Sequence, residues 1–201
     1  MKHNTTWLVS SLLLFGSATL RAQATGMPTF NSPYAGYRQS EFGVETSFPN
    51  GAGTAFEAVY HYSAGSLDIG LRGGMWDPGV CCRTELLLGV EARERVIAHT
   101  TDFPLDGGVL VGAGTGIASG GSALFVPLGV SLGRKIEPSG SSVVIAPYVQ
   151  PTATLVGDHG TTVDFTLGLG ADLRLTPAFL TRISVGVGDL NGVSVGAMWV
   201  H

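Results

Sequence analysis

Along most of this chain, apolar residues fall at every second position. The clearest run is Val163 to Leu175. Val163, Phe165, Leu167, Leu169, Ala171, Leu173 and Leu175 share one parity, and Asp164, Thr166, Gly168, Gly170, Asp172 and Arg174 share the other. Side chains alternate across a β-strand, so this segment predicts a strand with one apolar and one polar face. Leu67, Ile69, Leu71, Gly73 and Met75 oppose Asp68, Gly70, Arg72 and Gly74 in the same way. Leu86, Leu88, Val90 and Ala92 oppose Glu85, Gly89, Glu91 and Arg93, and Val193, Val195, Ala197 and Trp199 oppose Ser194, Gly196 and Met198. No segment after residue 24 holds a helical period.

The pattern predicts ten strands, near 40–48, 54–63, 66–76, 84–97, 107–118, 123–136, 143–156, 162–175, 180–188 and 192–200. Turn chemistry marks the breaks, as in Pro49-Asn50-Gly51, Asp77-Pro78-Gly79, Ser119-Gly120-Gly121, Pro138-Ser139-Gly140 and Asn191-Gly192. The connections are short, so consecutive strands should pair as antiparallel hairpins. The expected fold is all-β, a closed up-and-down barrel over residues 40–201. Eight strands with an ordered amino-terminal segment is the alternative. Residues 25–39, with Pro28, Pro33 and three aromatics, are expected to be irregular, either as a lead-in or packed against the barrel.

The start of the chain differs. Lys2 precedes an apolar stretch from Trp7 to Ala18, and Ala22-Gln23-Ala24 supplies a small-x-small site. This is the pattern of a secretory signal peptide over residues 1–24, with cleavage expected after Ala24. The apolar stretch is shorter than the roughly 20 residues a transmembrane helix needs.

Alternation alone does not say which face points outward; composition does. Charged residues are 13% of the chain, and glycines number 30. A typical soluble domain carries roughly 25% charge. Of 11 Lys and Arg, Lys2 and Arg21 fall in the leader, leaving 9 basic residues against 15 acidic and Lys135 as the sole lysine. That balance excludes a nucleic-acid partner, which requires a basic face. The polar parity is mostly glycine with scattered Asp, Glu and Arg, unlike a solvated sheet surface. The apolar parity carries almost no charge. Only helices and closed barrels satisfy their backbone in hydrocarbon, so a lipid-exposed apolar face here requires closure. About 11 residues per strand at 3.3 Å each, tilted by roughly 40°, rise about 28 Å, the height of a membrane barrel's apolar band.

The sequence resembles the small outer-membrane β-barrel proteins of Gram-negative bacteria. The resemblance spans about residues 40–201 and rests on the leader, the strand pattern and the chain end. Such proteins end in an alternating strand with a terminal aromatic, read by the barrel-assembly machinery. Here the end runs Val193, Val195, Ala197, Trp199 and His201, with His201 where Phe is typical. The resemblance implies outer-membrane localisation, contact with outer-membrane lipid, and passage through that machinery. Both termini should lie on the periplasmic side, with the loops near 77–83, 119–122, 157–161 and 189–191 outside. Oligomeric state is left open.

The polar parity would then line a lumen. Its charged set includes Glu41, Glu45, Glu57, Asp68, Glu85, Glu91, Asp164 and Asp172 with Arg72, Arg93, Arg95, Arg174 and Arg182. Buried charges need partners, so a salt-bridge network plugging the lumen is expected, with a narrow selective pore as the variant reading. Phe42, Phe48, Tyr60, Tyr62, Trp76, Phe103, Phe125 and Trp199 near strand ends suit interfacial girdles.

Other motifs were weighed for chemistry. Gly112-x-Gly114-x-Gly116 lies inside a strand with no helix after it, which argues against a dinucleotide loop. His61-Tyr62-Ser63 is similar to the His-x-Ser of outer-membrane lipid A deacylases, but falls near the periplasmic end, away from that substrate. Cys81 and Cys82 are adjacent and form either a vicinal disulfide or two small residues at a loop tip. Their α-carbons, about 3.8 Å apart, would strain such a bond. No metal site and no cofactor is expected. The reading is therefore a non-catalytic outer-membrane barrel of structural or narrow-channel type. A soluble barrel binding an apolar ligand, and a lipid-modifying outer-membrane enzyme, are the alternatives.

Overall fold

A computed structural model describes residues 23–33, 39–50, 53–79, 83–158 and 160–201. The leader through residue 22, and the cysteine pair Cys81 and Cys82, lie outside the described residues.

Ten strands make up most of the described residues from 39 onward. They are β1 (Glu41–Pro49), β2 (Thr54–Ala64), β3 (Leu67–Asp77), β4 (Glu85–Ile97), β5 (Asp106–Ala118), β6 (Gly121–Gly133), β7 (Val144–Gly157), β8 (Thr161–Thr176), β9 (Phe179–Gly188) and β10 (Gly192–Val200). Each strand pairs antiparallel with its sequence neighbour, and β1 pairs with β10 to close the sheet. The closing register runs from Glu41 opposite Val200 to Pro49 opposite Gly192. The result is a ten-stranded up-and-down barrel with no free edge.

The turns follow from local chemistry. Gly65 takes a positive φ in the tight connection between β2 and β3, a conformation glycine adopts without a Cβ penalty. The start of β1 and the end of β10, the two termini of the sheet, lie at one end of the barrel. The connections at that end include two long ones, residues 98–105 and 134–143, while the opposite end carries the short turns 119–120, 158–160 and 189–191. Bacterial outer-membrane barrels usually show the reverse, with short turns on the side of the termini.

The two faces are inverted relative to a water-soluble protein. Phe56, Leu71, Leu88, Leu128, Val130, Phe165, Leu167 and Leu169 stand exposed on the outside, Phe165 at 64% and Leu128 at 62%. Glu41, Glu45, Glu57, His61, Asp68, Arg72, Glu91, Arg93, Asp164, Asp172 and Arg182 are all buried inside. At the end bearing the termini, Phe42 stacks on Trp199 at 5.6 Å, and Phe179 meets Trp199 edge-on at 5.4 Å. His201 joins this aromatic group, 6.1 Å from Phe42 and 6.2 Å from Tyr60. Two residues expected in the girdles instead point inward: Trp76 and Phe125 are buried in the lumen. Both sit on the inward parity of their strands, and parity overrides their closeness to the rim.

Candidate functional site

The lumen is filled by the chain itself. Residues 23–33 run inside the barrel, and Gln23 through Pro33 are all buried. Of the two arrangements left open for residues 25–39, packing against the barrel is the one observed for its described part, 25–33. The lumen glycines make room for this segment. A Cβ on Gly114 would collide with the Ala24 carbonyl, and one on Gly168 with the Phe30 ring. Side-chain-free wall positions let an inserted backbone approach closely.

The inserted segment brings its own small core. Met27 packs with Ala55, Trp76 and Leu87 near the end opposite the termini. Phe30 packs with Tyr148 and Leu190. Tyr148 Oη donates to the Phe30 carbonyl at 2.8 Å and lies 2.8 Å from Ser184 Oγ.

Asn31 is the hub. Its backbone N–H donates to Gln150 Oε1 at 3.0 Å, and its carbonyl accepts from Ser131 Oγ at 2.7 Å. Its side-chain Nδ2 donates to Glu91 Oε1 at 3.1 Å, and its Oδ1 accepts from Arg182 Nη1 at 3.0 Å. One residue thus ties β4, β6, β7 and β9 to the plug. Buried polar groups must be matched in this way, because each one left unpaired costs about 1–3 kcal/mol.

Around Asn31 the charges form three groups. Arg182 donates from Nε to Asp172 Oδ1 at 2.8 Å and from Nη2 to Asp172 Oδ2 at 3.1 Å, a two-pronged pair, and from Nη1 and Nη2 to Glu41 Oε1 at 3.2 Å. The planar guanidinium fork suits such bidentate contact. His61 is clamped between Glu41 and Glu91, with Nδ1 2.7 Å from Glu41 Oε1 and Nε2 2.8 Å from Glu91 Oε1. Arg93 donates to Asp68 Oδ2 at 2.7 Å and to the Ser32 carbonyl at 3.3 Å. The third group is less balanced. Arg72 Nη1 stands 3.4 Å from Glu45 Oε2 and 3.4 Å from Glu57 Oε2, and also donates to Thr29 Oγ1. Glu45 and Glu57 lie directly opposite each other on β1 and β2.

Among the solved structures similar to this chain are three β-barrels. A de novo designed transmembrane β-barrel matches 85% of this chain and 100% of its own at 16% identity and a TM-score of 0.41. The N-terminal β-barrel domain of Pseudomonas aeruginosa OprF matches 81% of this chain and 97% of its own at 10% identity and a TM-score of 0.39. The β domain of the Bordetella autotransporter BrkA matches 81% and 97% at 14% identity and a TM-score of 0.42. No family model and no curated protein matches the sequence.

Of the lumen residues expected from parity, Glu57, Asp68, Arg72, Glu91, Arg93, Asp164, Asp172 and Arg182 all lie buried inside. Glu85 is inward but at the rim, half-buried beside Asp158, Gly116 and Phe125. Arg174 departs from expectation. It sits at the rim near the termini, where its described hydrogen bonds go to Gln39 Oε1 at 2.7 Å and to the Thr176 and Pro177 carbonyls, not to a carboxylate. The β8–β9 register shifts between Arg174 and Thr176 where the two strands end, and the side chain bonds at the barrel mouth.

Sequence reasoning missed Asp106, which is fully buried and pairs with Arg95 and with His99 Nδ1 at 2.8 Å. It lies one residue ahead of the expected strand start. It also missed the neutral lumen set of Ser131, Tyr148, Gln150 and Ser184, although parity would have placed each inward. Ser63 carries its hydroxyl without a hydrogen-bond partner, while both nitrogens of His61 are engaged by carboxylates, so the two do not form a nucleophile and base. Among the described residues no group of His, Cys, Asp and Glu is placed to hold a metal ion.

Proposed function

We propose that this protein is an integral outer-membrane barrel of structural or narrow-channel type, closed in the state described, and without catalytic activity. The observation that carries the reading is the inversion of the sheet. An apolar surface faces out from every strand, and the buried ion pairs face in. In water this arrangement leaves a large apolar patch uncovered on all sides, far beyond what monomeric soluble proteins expose. In a bilayer the same surface is solvated, and closure of β1 on β10 removes the last unpaired edge.

The soluble-barrel reading calls for the opposite arrangement, with an apolar interior. The described lumen is instead polar and occupied by residues 23–33. Both nitrogens of His61 are engaged by carboxylates, which weighs against the lipid-modifying reading. The partners proposed are outer-membrane lipid and, during biogenesis, the barrel-assembly machinery that receives the Trp199-x-His201 strand. Acidic groups outnumber basic ones in the lumen, so any residual conduction should favour cations.

Alkaline carbonate extraction of cells tests the placement. The barrel should remain with the outer-membrane fraction and require detergent; release into the supernatant would overturn it. Planar-bilayer recording of the purified protein tests the closed state, with rare, small openings expected and a large steady conductance contradicting it. In a Cys81→Ser, Cys82→Ser background, single cysteines introduced at Gly120 and at Glu137, read with a membrane-impermeant thiol reagent on whole cells, test sidedness. Label at 120 alone would place the long connections in the periplasm with the termini.

A further inference from the structure

We infer that the mature amino terminus is itself a lumen group: cleavage after Ala24 leaves the α-ammonium of Thr25 inside the barrel, where it supplies the cation that Glu45 and Glu57 lack. The inference rests on the export reading above, not on conduction.

Four observations converge on this point. Glu45 and Glu57 are cross-strand neighbours, both buried, and share a single guanidinium, that of Arg72 at 3.4 Å from each. The next nearest cation to Glu45 is Arg182, at 4.0 Å from its Oε1. Two like charges directly opposite in a sheet destabilise it, and since Arg182 is already held by Asp172 and Glu41, the two carboxylates share one close counter-charge. Second, the deficit is visible in the hydrogen bonding: Glu45 Oε2 and Glu57 Oε1 are buried with no hydrogen-bond partner. Third, Thr25 is fully buried over Gly89 beside the Arg72 side chain, and its hydroxyl has no hydrogen-bond partner. Its backbone nitrogen is three bonds from that hydroxyl oxygen. Fourth, the Ala22-Gln23-Ala24 site puts the scissile bond immediately before Thr25.

The chemistry is a peptide hydrolysis. Water adds across the Ala24–Thr25 bond, the new carboxylate leaves with Ala24, and the new amine on Thr25 takes up a proton. An amide N–H, which is neutral and donates once, becomes an ammonium with three donors and a full positive charge. Departure of Ala24 also vacates the space beside Gly112 and Gly114 that it occupies. The freed terminus then has both the room and the charge to close on the carboxylate pair. Processing would thus complete the lumen network, and the order of events would be cleavage first and final closure second.

The composition makes the test direct. After residue 24 the sole lysine is Lys135, which is exposed beside Glu137, so an amine-reactive label has two targets. The mature protein purified from membranes should have the intact mass of residues 25–201. Folded in detergent, it should take one label, at Lys135; unfolded in urea, it should take two. Protection of the Thr25 amine should be at least about 100-fold, the signature of a group exposed only on opening of the barrel. In a Glu45→Gln, Glu57→Gln double variant, labelling at Thr25 should rise at least about tenfold, as removing a buried ion-pair partner weakens what holds the amine, while Lys135 reacts as before. If that variant fails to fold, Glu57→Gln alone carries the same readout. A mature chain beginning anywhere but Thr25 overturns the proposal. So does a folded protein whose Thr25 amine reacts as fast as in urea, or a variant with unchanged protection. None of these results bears on whether the barrel resides in the membrane or conducts, which extraction and recording decide separately.

Discussion

Arg174 and Arg182 share a parity on neighbouring strands, and their fates differ completely. Arg182 lies at mid-barrel, 1% exposed, and holds Asp172, Glu41 and the plug residue Asn31 at once. Arg174 lies at the mouth and bonds to Gln39 and two carbonyls. Same residue type, same face and nearly the same strand pair: what separates them is depth. At the mouth, water solvates the guanidinium and no carboxylate is needed. At mid-barrel the Arg182 guanidinium is enclosed, and its donors go to Asp172, Glu41 and Asn31. The same rule of depth governs the outside, where the apolar residues of mid-strand face lipid and the aromatics cluster at the end bearing Trp199.

Four substitutions would break or sharpen this contrast. The largest effect is expected for Arg182→Leu, which strands Asp172 and Glu41 without their counter-charge; breaking a buried pair in this way typically costs about 3–5 kcal/mol. Urea unfolding of the protein in lipid vesicles should show that loss, and an unchanged midpoint would mean the network does not hold the barrel. Next comes Leu169→Arg on the outer face. If Leu169 lies near mid-depth in the bilayer, the cost should be about 2–4 kcal/mol, seen as a lower folding yield into vesicles. Normal yield would count heavily against a membrane-facing belt. Asn31→Ala should follow, at about 1–3 kcal/mol for the partners left unmatched. Because Asn31 belongs to the plug and not to the wall, it should also raise the frequency of openings in bilayer recordings, an effect Leu169→Arg should not share. The smallest effect is expected for Arg174→Leu, within about 0.5 kcal/mol as for surface changes away from any special feature. Instability of that variant comparable to Arg182→Leu would erase the distinction between mouth and mid-barrel.

The sequence by itself predicted ten strands, with eight as the alternative, gave their bounds to within a few residues, and showed which residues face which way. The physical reason is that side-chain direction in a strand has a period of two, and a one-residue slip would turn every apolar residue of a strand to the wrong side. Leu167 and Leu169 outside, with Asp164 and Asp172 inside, follow from that alone. Low charge and abundant glycine then settled which face was outermost. Parity carries no information about depth, so it could not separate Arg174 from Arg182, nor keep Trp76 and Phe125 out of the girdles. Nor could it place residues 23–33, which have no period to read. Only the tertiary structure decided that this segment enters the lumen and that Asn31 ties it to the wall. It also decided that Glu45 and Glu57 meet across one arginine, because those contacts join positions up to 151 residues apart and depend on the barrel being closed.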